Sequence, residues 1–458
     1  MKHVFMGAFA GMLLLSLVAH VWVPASDPNR IKLIWACDDS PTRREQIALF
    51  NQMNPEYELT LDPNPGAFEK IMVQCLAGVG PDLYDSYFPW QTSLFARAGI
   101  AYDLTDELPK IGVDIDEIWP CAKNTVIFNN RVYGHPGNAN APAIWYNKRL
   151  FDEAGIPYPD ANWKWDDFIA IAKKLTIRDE RGRPVQYGFL GYWDWKSVLY
   201  QWGASMYTPE GTRCTLDSPE SIAAFTFLQD LIFKHRVMPS YSEERYMARS
   251  GGWGFEHLNI FAAERGAMAI GGRWWLQLMR QPEFSKLRLG TAPLPAGPTR
   301  RIMGGARATI VNTNGKHLDA ALKFIQCLHS KEWNELINKQ ADALAPVKKY
   351  CYTDEFLHDP RYPQEDYNQV WRDSLENAVP EENSPYVNGG TVDKILKIQT
   401  ELIRLDQKSA EAGVRDATKL INEAIVDLLR MDPVIKEQYM EAVSNGARPA
   451  WDRPEDAP

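Results

Sequence analysis

Residues 143–175 decide the fold of this chain, and they read AIWYNKRLFDEAGIPYPDANWKWDDFIAIAKKL. The apolar run from Ala143 to Tyr146 predicts a buried strand, and the short helical piece after it ends at Gly155, a common helix terminator. Two prolines then prevent regular structure. From Asp166 onward, apolar residues recur at helical spacing, and the first turn carries acidic residues, which the helix dipole favours. The stretch therefore predicts a strand, a short helix and then a longer helix.

Five landmarks in this stretch resemble the most recognisable segment of the family 1 extracellular solute-binding proteins, the sugar-binding components of ATP-driven importers. They are Tyr146-Asn147-Lys148, then Phe151, then Ala154-Gly155, then a proline and a tryptophan, and finally the acidic pair Asp166-Asp167. The resemblance implies an α/β architecture of two lobes, the periplasmic-binding-protein type II fold, with a hinged cleft between the lobes.

Length, charge and composition agree with an exported two-lobed protein. The chain has 458 residues, which is far beyond one ordinary core, so two or more domains are expected. A formal net charge of −9 argues against nucleic acid as a partner, because phosphate binding requires a basic field. The 16 Trp, 19 Tyr and 18 Phe are more aromatic residues than a core of this size needs, which indicates that some rings face a ligand.

The sequence favours neither catalysis nor a metal or cofactor site. Its six cysteines form no Cys-x-x-Cys pair and have no histidine at zinc spacing, so no metal site is expected, although their pairing stays open. The signature motifs of serine hydrolases, zinc peptidases and P-loop proteins are missing from the sequence. His135, beside Pro136, is interpreted as a structural histidine and not as a catalytic one.

Both ends of the chain carry their own signals. Lys2 and His3 precede an apolar run, which predicts an export segment over residues 1–25, either a cleaved signal peptide or a retained membrane anchor. The proline-containing residues 441–458 are expected to form a flexible tail. Between the two ends, we expect lobe one to comprise 26–135 plus 299–345 and lobe two to comprise 136–298 plus 346–440.

Two strands of the first lobe are expected to deliver loops to the ligand. Trp35 ends the first strand of a β-α-β unit and Asp38 follows it, and ligands of such folds bind outside the carboxyl ends of the strands. A later Pro-Asp-apolar strand resembles the family strand whose following loop contacts the ligand. Tyr84, Asp85 and Trp90 are therefore candidates, with core packing as the alternative for Trp90.

The second strong resemblance covers Phe261 to Trp275, where the family has a strand, a glycine and a tryptophan that stacks on a sugar ring. Trp274 occupies that position. Because adjacent tryptophans cannot point the same way, we expect Trp275 in the core and Trp274 in the cleft. Arg273 beside them leaves an anionic ligand open. The other candidate ligand contacts are Asn138, Tyr146, Trp193, Gly272, Gly305 and Tyr386.

The resemblance implies an extracytoplasmic receptor that binds a sugar or oligosaccharide, closes around it and delivers it to the permease subunits of an ABC-type importer. We expect a monomer without catalytic turnover, either periplasmic or tethered to the outer face of the cytoplasmic membrane. The alternatives are an exported carbohydrate-active enzyme with paired carboxylates and a membrane-anchored sugar sensor of the same fold.

Overall fold

The computed structural model describes residues 29–62, 68–191, 194–247 and 255–452. The predicted export segment at residues 1–25 and the candidate Trp193 lie outside the described residues. Within those ranges, no helix is long and apolar enough to cross a membrane.

The first sheet has five strands in the order β2-β1-β3-β13-β6. β1 runs parallel to β2 and β3, as the predicted β-α-β unit requires, while β13 is antiparallel to both β3 and β6. A strand from the last third of the chain is thus inserted into a sheet built by the first 136 residues. The strands are β1 (Ile31–Ala36), β2 (Tyr57–Asp62), β3 (Leu83–Ser86), β6 (Gly134–Pro136) and β13 (Ala308–Val311).

The second sheet also has five strands, in the order β11-β7-β10-β9-β8. The strand predicted from the apolar run at residue 143 is β7, which lies beside the central strand β10, and every residue of β7 and β10 is buried. β7 is antiparallel to β10 and β11, and β10 is parallel to β9. The strands are β7 (Ala143–Asn147), β8 (Ile177–Arg178), β9 (Pro184–Leu190), β10 (Gly266–Gly271) and β11 (Leu289–Ala292).

Two small sheets complete the strand set. One pairs β4 (Ile127–Phe128) with β5 (Arg131–Val132), and the other pairs β12 (Ile302–Gly304) with β14 (Ala378–Pro380) in parallel. Thr299 donates hydrogen bonds to the carbonyl oxygens of Gln201 (2.8 Å) and Tyr200 (2.8 Å). Residues 299–304 therefore lie against elements of the second lobe, whereas the sequence analysis placed them in the first.

Eighteen α-helices surround the sheets within the described residues. They are α1 (Pro41–Met53), α2 (Phe68–Leu76), α3 (Pro89–Arg97), α4 (Pro120–Lys123), α5 (Lys148–Glu153), α6 (Trp165–Leu175), α7 (Trp195–Gln201), α8 (Pro219–Phe233), α9 (Tyr241–Met247), α10 (Phe255–Ala262), α11 (Leu276–Met279), α12 (Leu318–His329), α13 (Lys331–Gln340), α14 (Asp354–Leu357), α15 (Asn368–Glu376), α16 (Gly389–Arg404), α17 (Ala410–Met431) and α18 (Pro433–Ser444).

The helices predicted around residue 155 form where expected. α5 ends just before Gly155, whose φ of 63° is the left-handed conformation that glycine adopts without strain. α6 begins at Trp165, and its first turn is closed by a hydrogen bond from the Lys164 amide to Asp167 Oδ2 (3.0 Å). Local sequence signals therefore fix this part of the fold.

Three segments that connect the sheets lie side by side. Ala139 and Leu344 exchange two backbone hydrogen bonds of 2.8 and 2.9 Å, and Asn140 and Gly305 exchange two of 2.9 Å. These bridges join the chain just after β6, just before β13 and after α13. A rotation of one sheet against the other must pass through these three segments, so we call them the hinge.

Residues 448–451, near the C-terminus, contact Thr212, Arg213 and Tyr439. Thr212 donates to the Arg448 carbonyl (2.7 Å), and the Arg213 guanidinium donates to the carbonyls of Pro449 and Ala450. The Ala450 amide donates to the Tyr439 hydroxyl (2.7 Å), and the Trp451 ring packs on the Tyr439 ring. The flexible tail expected from residue 441 stays a prediction, and these are contacts that residues 448–451 make within the described part of the chain.

Candidate ligand-binding cleft

Asp38 lies at the carboxyl end of β1, on the first lobe's side of the cleft. Its Oδ1 accepts hydrogen bonds from Arg43 Nε (3.0 Å) and from the hydroxyl of Tyr87 (2.9 Å), and its side chain is 36% exposed. Burial alone would raise the pKa of this carboxyl, but Arg43 and Arg307 hold it below its usual value. Asp38 is therefore an ionised acceptor at a partly open position, which suits a hydroxylated ligand.

Asp85, in β3, makes its side-chain hydrogen bonds inside the first lobe. Its carboxylate accepts hydrogen bonds from Trp35 Nε1, Thr309 Oγ1 and Arg307 Nη1, each of 2.8 Å. The side chains of Asp85 and Arg307 are only 1% and 2% exposed. Asp85 therefore supports the wall of the cleft by fixing Arg307 and does not present a free carboxylate to a ligand.

Asp342, near the hinge, completes a buried network of charges. Arg43 donates to it, Arg307 lies 3.5 Å from it, and Gln46 Nε2 donates to it at 3.0 Å. Burial would raise the pKa of Asp342, but the two guanidinium groups lower it to about 2. Together with Asp85, this carboxylate neutralises the arginines of the first lobe.

The backbone around Asp342 is strained. Ala341 and Ala343, on either side of it, have φ values of 57° and 64°, in the left-handed region that alanine seldom adopts. Each such residue costs on the order of 1 kcal/mol and persists only where its surroundings hold it. The ion pairs of Asp342 provide that restraint from the first lobe.

The wall on the second lobe is the turn that follows β10. Gly272 approaches the hinge so closely that a Cβ there would lie 2.5 Å from Asn140 Oδ1 and 2.5 Å from the Trp274 ring. Trp275 is completely buried, Trp274 is half-buried, and their ring planes stand at 85°. The two tryptophans thus diverge as predicted, with Trp275 in the core and Trp274 closer to the surface.

Arg273 points away from the cleft. Its guanidinium donates to the carbonyls of Asn338 (3.1 Å) and Ala343 (3.0 Å) and to Asn368 Oδ1 (3.1 Å), and it is 1% exposed. Burial lowers its pKa to about 10, so it remains charged. Two of these contacts join the second lobe to the segment beside the hinge, and the third, to Asn368, lies within the second lobe. The buried guanidinium is therefore already satisfied, which argues against the anionic ligand that the sequence left open.

The two lobes also touch across the cleft through Gln277, in α11. Gln277 Nε2 donates to Asp342 Oδ1 (3.3 Å), and Thr42 Oγ1 donates to Gln277 Oε1 (3.4 Å). Both partners belong to first-lobe segments. These long hydrogen bonds are contacts that separation of the lobes would break.

A cluster of charges, which we name the Lys196 cluster, lies where α7 and α16 of the second lobe approach α3. The ammonium of Lys196 pairs with Glu381 and also interacts electrostatically with Asp393 and Asp194. Burial raises the pKa of the Asp194 carboxyl to about 7. Asp194 is 2% exposed, and its Oδ2 has no hydrogen-bond partner among the described residues.

Four predicted ligand contacts are buried in cores. Trp35 packs on Phe324 and Trp333, and the Tyr84 hydroxyl donates to the Ile100 carbonyl (2.9 Å). Tyr146 packs on Phe151 and Tyr158, and burial raises its pKa to about 12. Tyr386 packs edge-on against Tyr439. Alternation along a strand predicted burial of one face, but it did not tell which face meets the other lobe.

Trp90 packs against protein residues, which was the alternative to ligand contact that the sequence left open for it. It is half-buried and stacks on Phe88 with ring centroids 6.2 Å apart. A Cβ on Gly389 would lie 2.2 Å from the Trp90 indole, so only glycine permits this approach of α16 to α3. Trp90 therefore helps to join the two lobes.

The remaining predicted contacts lie at the hinge. Asn138 is 7% exposed, and its Oδ1 accepts a hydrogen bond from the Arg307 amide (3.0 Å). Gly305 pairs with Asn140, and a side chain at Gly305 would meet open space. The structure thus brings together Asp38, Asn138, Gly272, Trp274 and Gly305, and it places Trp35, Tyr84, Tyr146 and Tyr386 elsewhere.

Sequence reasoning missed the charged residues of the cleft. Arg43 begins a helix, Arg307 follows the glycine pair at 304–305, and Asp342 lies in an Ala-Asp-Ala stretch, so none stands in a motif. Lys196 and Glu381 are 185 residues apart in sequence. The one signal near these residues was Gly305, which the sequence had indicated as a candidate ligand contact.

Comparisons with known protein sequences identify the family of this chain. The model of the bacterial extracellular solute-binding protein family matches residues 38–335. The chain belongs to that family. A putative binding protein of Brucella abortus is 26% identical over 364 residues, which is 75% of this chain and 81% of that protein. A maltotriose-binding protein of Pyrococcus abyssi is 22% identical over 361 residues, which is 75% of this chain and 72% of the relative.

Solved structures in this family share the fold. An ABC substrate-binding protein of Listeria monocytogenes, in complex with cycloalternan, aligns with a TM-score of 0.73 at 22% identity, covering 86% of this chain and 98% of that one. A maltose-bound protein of T. maritima aligns with a TM-score of 0.69 at 22% identity, covering 85% and 99%. The two-lobed α/β fold is therefore the fold of this family member.

Proposed function

We propose that this protein is an extracytoplasmic receptor that binds a saccharide between its lobes and presents it to the permease subunits of an ABC-type importer. The observation that carries the proposal is that the half-buried Trp274 lies beside the hinge on one lobe, while the partly exposed and ionised Asp38 lies on the other. A ring offers a surface to the C–H face of a sugar, and a carboxylate accepts hydrogen bonds from its hydroxyl edge. Sugar-binding relatives support the ligand class.

Closure would couple the ligand to the shape of the protein. Asp38 and Trp274 can touch one ligand only when the lobes are together, so ligand favours the closed form through contacts that exist in that form alone. The hinge confines the motion to three adjacent segments, and the Gln277 contacts add to the closed state. We place lobe one at residues 29–138 plus 306–343 and lobe two at 141–304 plus 346–452.

The proposal has three further parts, which concern location, oligomeric state and turnover. The protein acts outside the cytoplasm, as a monomer, and leaves its ligand chemically unchanged. Incubation with a panel of mono- and oligosaccharides should shift tryptophan fluorescence without releasing reducing ends. Formation of a product would reassign the protein to the enzymes, and an exhaustive panel without any binding would remove the receptor role.

A pair of neighbouring variants tests the cleft residue directly. Trp274→Ala should weaken binding of the identified saccharide by about 5- to 30-fold, since loss of one stacked ring costs roughly 1–2 kcal/mol, while the thermal midpoint changes little. Trp275→Ala is the matched control, because its ring is fully buried and its removal should lower stability first. Binding by Trp274→Ala within about twofold of wild type would show that the ring does not contact the ligand.

A further inference from the structure

The Lys196 cluster contains three carboxyl groups and one ammonium. One ammonium faces the carboxyls of Glu381, Asp393 and Asp194. The only ion pair of that ammonium at contact distance among the described residues is with Glu381. Burial, aided by the neighbouring Glu381, raises the pKa of the Asp393 carboxyl, as expected for acids that lack enough cations.

The Asp194 carboxyl interacts with Ser197 in the first turn of α7, but one of its oxygens has no partner among the described residues. Its carboxyl is almost completely buried at the start of α7, and Oδ2 has no hydrogen-bond partner among the described residues. A buried carboxyl oxygen without a donor is destabilising, because it loses its hydrogen bonds to water and gains none from the protein. A ligand that donates hydrogen bonds at this point would relieve that cost.

The first lobe contributes aromatic rings to the same place. Phe88 and Trp90 are half-buried and nearly parallel, with ring planes at 9°. The Trp90 indole interacts with the Asp393 carboxyl, and its buried Nε1 has no partner within hydrogen-bond geometry among the described residues. Aromatic faces and carboxylates are the two groups that proteins use to bind organic cations.

The arginines of the first lobe cannot balance these acids, because Arg43 and Arg307 are already paired with Asp342 and Asp85. We propose that the saccharide bound between the lobes carries a protonated amine, as an amino sugar does, and that this amine binds at Asp194 and Asp393 beside Trp90. This inference rests on the proposed receptor function and specifies its ligand class.

The test begins with a glycan array of neutral, acidic, amino and N-acetylated saccharides. The hexose backbone that binds is then compared by calorimetry in three forms that differ at one carbon, bearing a hydroxyl, a protonated amine or an N-acetyl group. The amine form should bind at least tenfold more tightly than the other two, and raised salt should weaken that form most, because the preference is electrostatic.

Two variants locate the preference. Asp194→Asn and Asp393→Asn should each bring the amine and hydroxyl forms to within about threefold, whereas Asp230→Asn, on the outer face of α8, should leave the tenfold preference intact. Thermal melts establish that each variant is folded. Hydroxyl or N-acetyl forms that bind as tightly as the amine form would overturn the inference but leave the receptor function standing. An array without any bound saccharide would overturn both.

Discussion

His135 should make the stability of this protein sensitive to acid. The ring is completely buried in β6, Nδ1 donates to the Pro136 carbonyl (2.8 Å), and Nε2 accepts a hydrogen bond from His329 Nδ1 (3.1 Å). Burial, with the adjacent His329 ring, lowers the pKa of His135 to about 3. In the unfolded chain, by contrast, the pKa of this histidine is about 6.5. Between these two pKa values the unfolded chain binds a proton that the native state does not.

The sign and size of the effect follow from linkage. Below pH 6.5 the unfolded state binds one more proton than the native state, so the free energy of unfolding falls as the pH falls, until the native His135 titrates near pH 3. At about 1.4 kcal/mol per pH unit, the loss is roughly 2 kcal/mol at pH 5 and at most about 5 kcal/mol below pH 3.

The perturbation that tests this is His135→Gln, which retains a donor and an acceptor without a titratable ring. It should lower stability at pH 7.5 but flatten the pH dependence, so that the gap between variant and wild type in urea unfolding shrinks by roughly 2 kcal/mol from pH 7.5 to pH 5. His358→Asn is the control, because that ring is 74% exposed on the surface. A constant gap across this pH range, or a His135 ring signal that titrates by NMR near pH 6.5, would refute the reasoning.

Three further predictions concern stability and closure. Arg273→Met removes two hydrogen bonds from the second lobe to the hinge segment and one to Asn368, and it should cost roughly 2–4 kcal/mol in urea unfolding; an unchanged midpoint would contradict the role given to Arg273. A chain that stops after Gly446 loses the two backbone carbonyls that accept hydrogen bonds from Arg213. Its thermal midpoint in calorimetry should be several degrees lower than that of the full chain. Asp85→Asn should cost about 3–5 kcal/mol in urea unfolding because it leaves Arg307 underpaired, and the double variant with Arg307→Met should recover part of that loss; a double variant as unstable as the sum of the single ones would contradict coupling between the two side chains.

The fold could be predicted because its signals are local. The strand at Ala143, the glycine that ends α5 and the helix that begins near Asp166 each depend on periodicity or on a terminator within a few residues. The placement of residues 299–304 could not be predicted in this way, because their attachment to the second lobe depends on Gln201, about a hundred residues earlier in the chain.

The cleft was predicted less well, and the reason is geometric. Adjacent residues such as Trp274 and Trp275 must diverge, so a sequence can assign one of them to the core. Trp35 and Tyr146 stand on strands with two faces, and which face meets the other lobe depends on the packing of distant helices. Arg43 belongs to the cleft through Asp342, which is 299 residues away in sequence, and pairings over that separation leave no local pattern.

The distribution of charge divides the interlobe boundary into two kinds of surface. On the first lobe, buried ion pairs around Asp342 are nearly saturated, and they hold the strained backbone at Ala341 and Ala343 in one conformation. That wall can change little when the lobes move. On the second lobe, the Lys196 cluster retains a buried carboxyl oxygen that has no partner in the part of the chain that the structure describes. A ligand group that donates a hydrogen bond to this oxygen would remove the cost of leaving it unsatisfied. Ligand selectivity should therefore depend on the Lys196 cluster, whereas the ion pairs around Asp342 set the geometry in which the lobes close.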